Sequence, residues 1–191
     1  MKLIAGLGNP GKQYENTRHN AGEMYVRELA RYYNATFKPD AKFFGETAKT
    51  QIANEDVWLI IPHTFMNKSG QSVAALANFY KIEPQDILVA HDELDIPVGT
   101  GKLKKGGGHG GHNGLRDIIA RLGNNKDFWR LRIGIDHPGN AKLVSNWVLN
   151  KAPQAEFNTT NQLIDDAVRL TDLYITGDTQ AAMQKLHSIK P

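Results

Sequence analysis

The chain has 191 residues, of which 40% are hydrophobic and 23% charged, values usual for one soluble globular domain. It contains no cysteine, which excludes disulfides, thiolate nucleophiles and cysteine-bound metals and suits a reducing compartment. The net charge is +3, but the stretch 102–132 carries eight Lys or Arg against two Asp and so has a charge of +6. This distribution favours either a polyanionic partner or a solvated basic surface, and charge alone does not separate the two.

Strands and helices are predicted to alternate along the first half of the chain. The apolar periodicity indicates, in order, a buried strand, a helix, a two-stranded hairpin and a second helix, at residues 2–7, about 21–33, 46–53 with 56–61, and 73–80. Ser69 is a candidate N-cap for the second helix.

The second half continues this pattern with a buried strand, a further short strand, a helix, an alternating strand and a helical C-terminal part, at residues 87–91, 102–105, 115–122, 129–135 and from about 153 onward. We therefore predict an α/β fold, a single domain over residues 1–191 with a twisted mixed β-sheet covered by helices on both faces. No apolar run exceeds five residues, and residues 1–6 are too short for a secretory signal, so we expect a cytoplasmic protein outside the membrane.

The run Gly6-Leu7-Gly8-Asn9-Pro10-Gly11 matches G-x-G-x-x-G directly after the first predicted strand. A dinucleotide-binding fingerprint also needs its last glycine to open a helix, with an acidic residue about 20 positions later. Pro10-Gly11 is instead a turn dipeptide, and residues 12–20 have no apolar periodicity. The segment is better interpreted as a loop at the carboxyl end of a strand, where open α/β sheets place their sites.

A glycine-rich segment occupies residues 106–114, with six glycines among nine residues and lysines before it. Glycines let backbone N–H groups approach a ligand, and the helix that follows offers its positive end to an anion. We expect an anion-binding loop here; the alternative is a flexible surface loop. His109 and His112, with Asp92 or Asp95, are candidate metal ligands, but the chain has no H-E-x-x-H or zinc-type spacing, so we expect no metal.

Nucleophilic catalysis by serine is not indicated, because none of the four serines lies in G-x-S-x-G. A hydrolase built on this chain would need activated water, and hence a base of near-neutral pKa held by a carboxylate. His19, at the predicted start of a helix, can supply the imidazole, and Asp92, directly after a buried strand, the carboxylate. Asparagines stand beside these motifs as candidate polar lining of a cleft: Asn9, Asn20, Asn67 and Asn113.

Together these segments resemble the bacterial-type peptidyl-tRNA hydrolase family. The matching motifs are Gly6 to Gly11 with Tyr14, Thr17-Arg18-His19-Asn20-Ala21-Gly22, Lys42-Phe43-Phe44-Gly45, Pro62 to Gly70, His91-Asp92-Glu93-Leu94-Asp95, Gly106 to Gly114, Arg130 to Ile135 and His137-Pro138-Gly139. The sequence departs from the family pattern at Asp136, where we expect glycine, and this acid could weaken a nearby phosphate contact.

The resemblance implies hydrolysis of the ester between a peptide and the 3′-terminal ribose of tRNA, which recycles tRNA from prematurely released peptidyl-tRNA. It implies His19 as the general base, Asp92 as the residue that orients it, and Asn9 as a reader of the blocked amino group. The other implied residues bind substrate: Asn67 and Asn113 at the carbonyl, Tyr14 and Phe65 at the tRNA end, Met66 along the peptide, and Lys102, Lys104 and Arg132 at tRNA phosphates.

Two other functions remain open from the sequence. One is a non-catalytic RNA-binding module that uses the basic glycine-rich loop; against it, aromatic residues are only 8% of the chain and do not interleave the basic stretch. The other is a metal- or dinucleotide-dependent enzyme. The family resemblance implies neither cofactor nor metal, and it favours a monomer.

Overall fold

A computed structural model describes all 191 residues, Met1 to Pro191. Seven strands form one sheet: β1 (Lys2–Gly6), β2 (Lys38–Asp40), β3 (Gly45–Ile52), β4 (Glu55–Pro62), β5 (Ile87–Glu93), β6 (Gly101–Lys105) and β7 (Trp129–Gly134). Their order across the sheet is β2-β3-β4-β1-β5-β7-β6. The neighbours β4, β1, β5 and β7 run parallel, whereas β2, β3 and β6 pair antiparallel, so the predicted mixed sheet is confirmed.

Six α-helices accompany the sheet: α1 (Ala21–Tyr32), α2 (Ser69–Phe79), α3 (Asn113–Arg121), α4 (Val144–Val148), α5 (Gln154–Ile175) and α6 (Thr179–His187). Helices α1, α5 and α6 bury their apolar residues in a core on one face of the sheet, and α2 and α3 in a core on the other. The predicted covering of both faces is therefore confirmed. None of the six helices is both long and apolar enough to span a lipid bilayer.

The core between α1, α5 and the sheet fixes the helix that begins next to His19. Tyr25 of α1 is fully buried, and its hydroxyl lies 2.6 Å from the hydroxyl of Thr171 in α5. Burying a large apolar side chain stabilises a fold by about 1.5–3 kcal/mol, so Val26 and Leu29, both fully buried, add substantially to this anchorage. The start of α1 is thus held rigidly against the sheet.

A tight turn joins the two strands of the predicted hairpin. Ala53 and Asn54, the two residues between β3 and β4, have φ of 52° and 63°, as a tight type I′ turn requires.

The prediction that Ser69 caps α2 is wrong, because Ser69 is the first helical residue and Lys68 occupies the cap. The Ser69 hydroxyl instead donates to the carbonyl of Met66 at 2.8 Å.

Candidate active site

A cleft of about 650 Å³ opens where the parallel strands β1, β4 and β5 end. The carboxyl edge of a parallel sheet is the usual place for a site in an open α/β fold. Seven of the catalytic and substrate-binding residues that the family resemblance implies line this one cleft: Asn9, His19, Phe65, Met66, Asn67, Asp92 and Asn113. The structure therefore brings the predicted chemical residues together.

His19 reaches the cleft because α1 approaches the sheet unusually closely. It lies in a short 3-10 turn, Arg18–Asn20, directly before α1. A Cβ atom at Gly22 would lie 2.0 Å from the carbonyl oxygen of Ala90 in β5, and one at Gly6 would lie 2.5 Å from the carbonyl oxygen of Gly22. Only glycine permits these contacts, so Gly6 of the first motif and Gly22 of α1 serve helix packing. The structure also lacks the α-helix that a dinucleotide fingerprint needs directly after its last glycine, because the first α-helix begins at Ala21, well after Gly11.

His19 and Asp92 form a direct pair at the base of the cleft. His19 Nδ1 lies 3.0 Å from Asp92 Oδ1 and 2.9 Å from Oδ2. An ionised carboxylate only accepts hydrogen bonds, so in the neutral ring the proton sits on Nδ1 and the lone pair on Nε2. The pair therefore leaves Nε2 as the basic atom of His19, as a general base requires.

The two charges stabilise each other. Burial of Asp92 opposes ionisation, but the positive charge of protonated His19 and the hydrogen bonds from His19 and His112 outweigh it and hold the pKa of Asp92 well below its usual range. For His19, burial opposes protonation, but the charge of Asp92 and its hydrogen bond outweigh that effect and raise the pKa above 6.5. His19 therefore remains a stronger base than a free imidazole.

His112 is a third member of this group whose role the sequence did not reveal. Its Nε2 lies 2.9 Å from Asp92 Oδ1, and its Nδ1 accepts from the backbone N–H groups of Gly114 and Leu115 at 3.1 and 3.3 Å. The imidazole thus caps α3 in place of the usual Ser, Thr, Asp or Asn. The signal was its position three residues before the predicted helix, 115–122.

The same cap argues against a metal ion at this cluster. His19, Asp92 and His112 offer ligand atoms within 4.8 Å of one another, a different set from the one considered in the sequence. A metal on His112 Nε2 would require the ring proton on Nδ1, which faces two backbone N–H donors. The donor geometry fits a hydrogen bond to Asp92 and not a metal ligand.

Two asparagine side chains have their oxygens already occupied. Asn9 Oδ1 accepts from the backbone N–H of Met66 at 2.7 Å, and Asn113 Oδ1 accepts from Arg116 at 3.0 Å. Each amide therefore has its NH₂ group left to donate. The amide of Asn20 holds the backbone of Asn9 from both sides, at 2.8 and 3.0 Å, so the Asn9 loop is fixed.

His91, next to Asp92, is a buried histidine that gives a stability prediction. It is 2% exposed, and this burial lowers its pKa to about 3. Because the unfolded chain takes up a proton near pH 6.5 that the native chain does not, stability should fall as the pH drops below 6.5. For this one residue we expect a loss of roughly 1–2 kcal/mol between about pH 6.5 and 5.

Urea unfolding of the wild type and of His91→Gln at these two pH values measures the effect. The wild type should lose more stability than the variant, by the amount given above. Equal losses would mean that His91 does not carry this pH dependence.

One wall of the cleft is apolar and comes from a segment that the sequence analysis did not predict. It consists of Ala141, Val144, Val148 and Leu149, in and around α4. On the rim, Phe65 is 59% exposed. The His19–Asp92 pair therefore shares its cleft with a surface suited to apolar side chains.

The remaining predicted residues do not line the cleft. Tyr14 is half-buried in the loop before His19. Lys102 and Lys104 are exposed on the edge strand β6 and form no ion pair. Arg132 lies opposite Lys102 on β7 and pairs with Glu93 at 2.9 Å, so its charge is already partly neutralised.

The glycine-rich segment is less open to anions than its sequence suggests. Buried Arg130 donates hydrogen bonds to the carbonyl groups of Gly106 and Gly107, so this cation anchors the loop. The N-terminus of α3, expected to meet an anion, has two of its N–H groups bound by His112. On β6, Lys102 and Lys104 form no ion pair, whereas Lys105 pairs with Asp127.

Asp136 occupies a backbone conformation that favours glycine, with φ of 62°. Its carbonyl oxygen accepts from the indole Nε1 of Trp147 at 2.9 Å. The residue forms no ion pair with the basic strands. Asp136 thus adopts a backbone conformation that favours glycine, and it neutralises no neighbouring cation through an ion pair.

A family model described as peptidyl-tRNA hydrolase matches residues 3–191. The chain belongs to the peptidyl-tRNA hydrolase family. Among the relatives in this family, the peptidyl-tRNA hydrolase of Aeromonas hydrophila is 56% identical over 190 residues and that of Shewanella amazonensis 59%, with all of this chain and 96% or 97% of theirs covered. The crystal structure of peptidyl-tRNA hydrolase from Acinetobacter baumannii has a TM-score of 0.97 and 49% identity, and the alignment covers 100% of this chain and 96% of that one.

Proposed function

We propose that this chain hydrolyses the ester bond that joins a peptide, or an N-blocked amino acid, to the 3′-terminal ribose of tRNA. Membership of the peptidyl-tRNA hydrolase family supports the reaction class. The observation that carries the mechanism is the His19–Asp92 pair at 2.9 Å in the base of the cleft. An ester is more reactive than an amide, so a water molecule activated by one base is sufficient for the chemistry.

The first step is the attack of water on the ester carbonyl carbon. His19 Nε2 takes a proton from the water, and the resulting hydroxide adds to the carbon, which places negative charge on the carbonyl oxygen. Asp92 stabilises the imidazolium that forms, through its charge and its hydrogen bond to Nδ1. The free NH₂ groups of Asn9 and Asn113 supply donors for the developing oxyanion.

The second step breaks the bond between the carbonyl carbon and the ribose 3′ oxygen. The imidazolium of His19 returns its proton to that oxygen, so tRNA leaves with an intact hydroxyl. The peptide leaves as a carboxylic acid, which releases its proton to solvent and becomes a carboxylate. His19 ends in its starting form. The cycle consumes one water molecule and involves no cofactor or metal.

The remaining residues position the substrate. Asn67 holds the substrate beside the carbonyl, and Asn9 also distinguishes a blocked from a free amino group. Phe65, exposed on the rim, and Tyr14 contact the last nucleotides of tRNA, and Met66 borders the path of the peptide. We propose that residues 1–191 act as one domain, as a monomer and in the cytoplasm.

The test is release of tRNA from an N-acetylated aminoacyl-tRNA and from the unblocked form, in excess EDTA. Cleavage of the blocked substrate alone supports the proposal and its specificity. Bound but uncleaved tRNA would favour an RNA-binding module. Cleavage abolished by EDTA and restored by a divalent metal would favour a metalloenzyme.

We expect Lys104→Ala to raise KM more than it lowers kcat. Lys102 and Lys104 lie on the exposed side of β6, away from α5 and α6, because the alternate residue Leu103 is buried in the core beneath those helices. Each phosphate contact releases bound counterions, so losing one should reduce the slope of log KM against log salt by roughly 0.7–0.9.

The measurement compares an N-acetylated aminoacyl-tRNA with the same acyl group on adenosine, at several salt concentrations. The effect should appear only with the tRNA substrate. Lys105→Ala, in which the lost lysine pairs with Asp127, is the matched control and should change KM less. Equal effects on both substrates would remove Lys104 from the phosphate site.

A further inference from the structure

The apolar wall of the cleft is formed in and around α4, a helix too short to be stable without tertiary contacts. Helix α4 has five residues, of which only Val148 is buried. Isolated helices of this length are unstable in water, so tertiary contacts must fix where α4 lies. Its main packing partners are the 3-10 turn Arg18–Asn20 and the turn that precedes α4.

Arg18 makes specific contacts with α4 and with the residues that follow it. Its guanidinium carbon lies 3.5 Å from the centre of the Trp147 ring, and its Nη1 donates to the Trp147 carbonyl at 3.1 Å. Its backbone N–H donates to the carbonyl of Asn150 at 3.1 Å. A cation stacked on an indole at this distance, with only 8% of the side chain exposed, forms a strong contact.

Both ends of this contact are themselves anchored. The other Arg18 terminal nitrogen lies 3.5 Å from Glu156, which belongs to α5. The indole Nε1 of Trp147 donates to the carbonyl of Asp136, at the end of β7, at 2.9 Å. Trp147 does not line the cleft.

Arg18 precedes His19 in the same turn, which links the two sides of the cleft. One side carries the base and the other carries the apolar wall. We propose that Arg18 and Trp147 are a positioning pair that sets the distance between His19 and the wall formed by Val144, Val148 and Leu149. The pair thereby determines how tightly the cleft grips a bulky apolar peptide next to the ester.

The proposal rests on the proposed hydrolase function and concerns binding of the acyl part. Loosening the wall should weaken contacts with large apolar side chains and leave the His19–Asp92 chemistry intact. A small acyl group that does not reach the wall should be unaffected. The predicted signature is therefore a change of KM that depends on the acyl group, at constant kcat and constant pH profile.

The experiment measures KM, kcat and the pH profile on tRNA carrying N-acetyl-Leu-Leu-Leu and on tRNA carrying N-acetyl-Gly. Trp147→Leu removes the ring that the guanidinium covers, and we expect a KM roughly 3–10-fold higher for the leucine substrate and nearly unchanged for glycine. Trp147→Phe keeps an aromatic face over Arg18 and should restore most of the loss. Leu143→Ala, an exposed neighbour outside the cleft, is the control and should behave as wild type.

Each outcome has a separate meaning. Equal rises in KM for both substrates, a shifted pH profile or a lower kcat in Trp147→Leu would overturn the positioning role. So would failure of Trp147→Phe to improve on Trp147→Leu. If the wild type cleaves neither substrate, the proposed hydrolase function itself fails, which is a distinct result.

Discussion

Replacing His19 with alanine is expected to lower kcat by roughly 10²–10⁴-fold, the usual contribution of a general base. The affinity for tRNA should hardly change, because His19 faces the cleft and the free lysines lie on β6. Single-turnover cleavage of N-acetylated aminoacyl-tRNA gives the rate, and a filter-binding titration with uncharged tRNA gives the affinity.

A second histidine provides the control. His63 is exposed, lies outside the cleft and pairs with Glu46 at 2.8 Å, so His63→Ala should keep full activity. If His19→Ala lost tRNA binding together with activity, His19 would be structural. If it kept its activity, the general-base mechanism would be wrong.

Asp92→Asn is expected to reduce kcat by roughly 10³–10⁴-fold, because the amide forces the wrong tautomer of His19. Asp92 accepts hydrogen bonds from two imidazoles, and an asparagine has only one acceptor oxygen. The proton of His112 is fixed on Nε2 by the cap of α3, so that ring takes the oxygen. The NH₂ group then faces His19 Nδ1 and pushes the ring proton to Nε2, the atom that must be free.

The pH profile adds an independent readout. Since the charge of Asp92 and its hydrogen bond raise the pKa of His19 above 6.5, kcat of the wild type should decline below a pH that lies above 6.5. In Asp92→Asn the residual activity should decline only at a lower pH. Asp95→Asn, an exposed acid of the same segment, is the control. An unshifted profile in Asp92→Asn would contradict the coupling.

The elements with strong periodicity were predictable from the sequence to within a few residues. The burial pattern is visible in the sequence of the helix around Val26 and Leu29 and of the strand from Ile87. In both, the residues that contact the core repeat at the helical or strand period. The pair of His19 and Asp92 was predictable as well, from a base at a helix start and a carboxylate after a buried strand.

What the sequence did not reveal depends on long-range contacts. Helix α4 spans too few residues to produce a period, and its wall role comes from contacts with Arg18. In the sequence, Arg130 is one of several cations in a basic stretch. Only the structure shows that it is buried and donates a hydrogen bond to the carbonyl of Gly106. His112 stands in a flexible-looking segment, whereas its two ring nitrogens join α3 to Asp92.

The glycine contact between α1 and β5 has a consequence for how this site can change. Because Gly22 has no side chain, α1 lies directly against Ala90 of β5. This close packing brings His19 within hydrogen-bond distance of Asp92. A larger side chain there would lift the whole helix and separate the pair, even though Gly22 touches no substrate. An inhibitor that binds between His19 and Asn9 would therefore contact a part of the cleft where substitutions that weaken inhibitor binding also reduce catalysis.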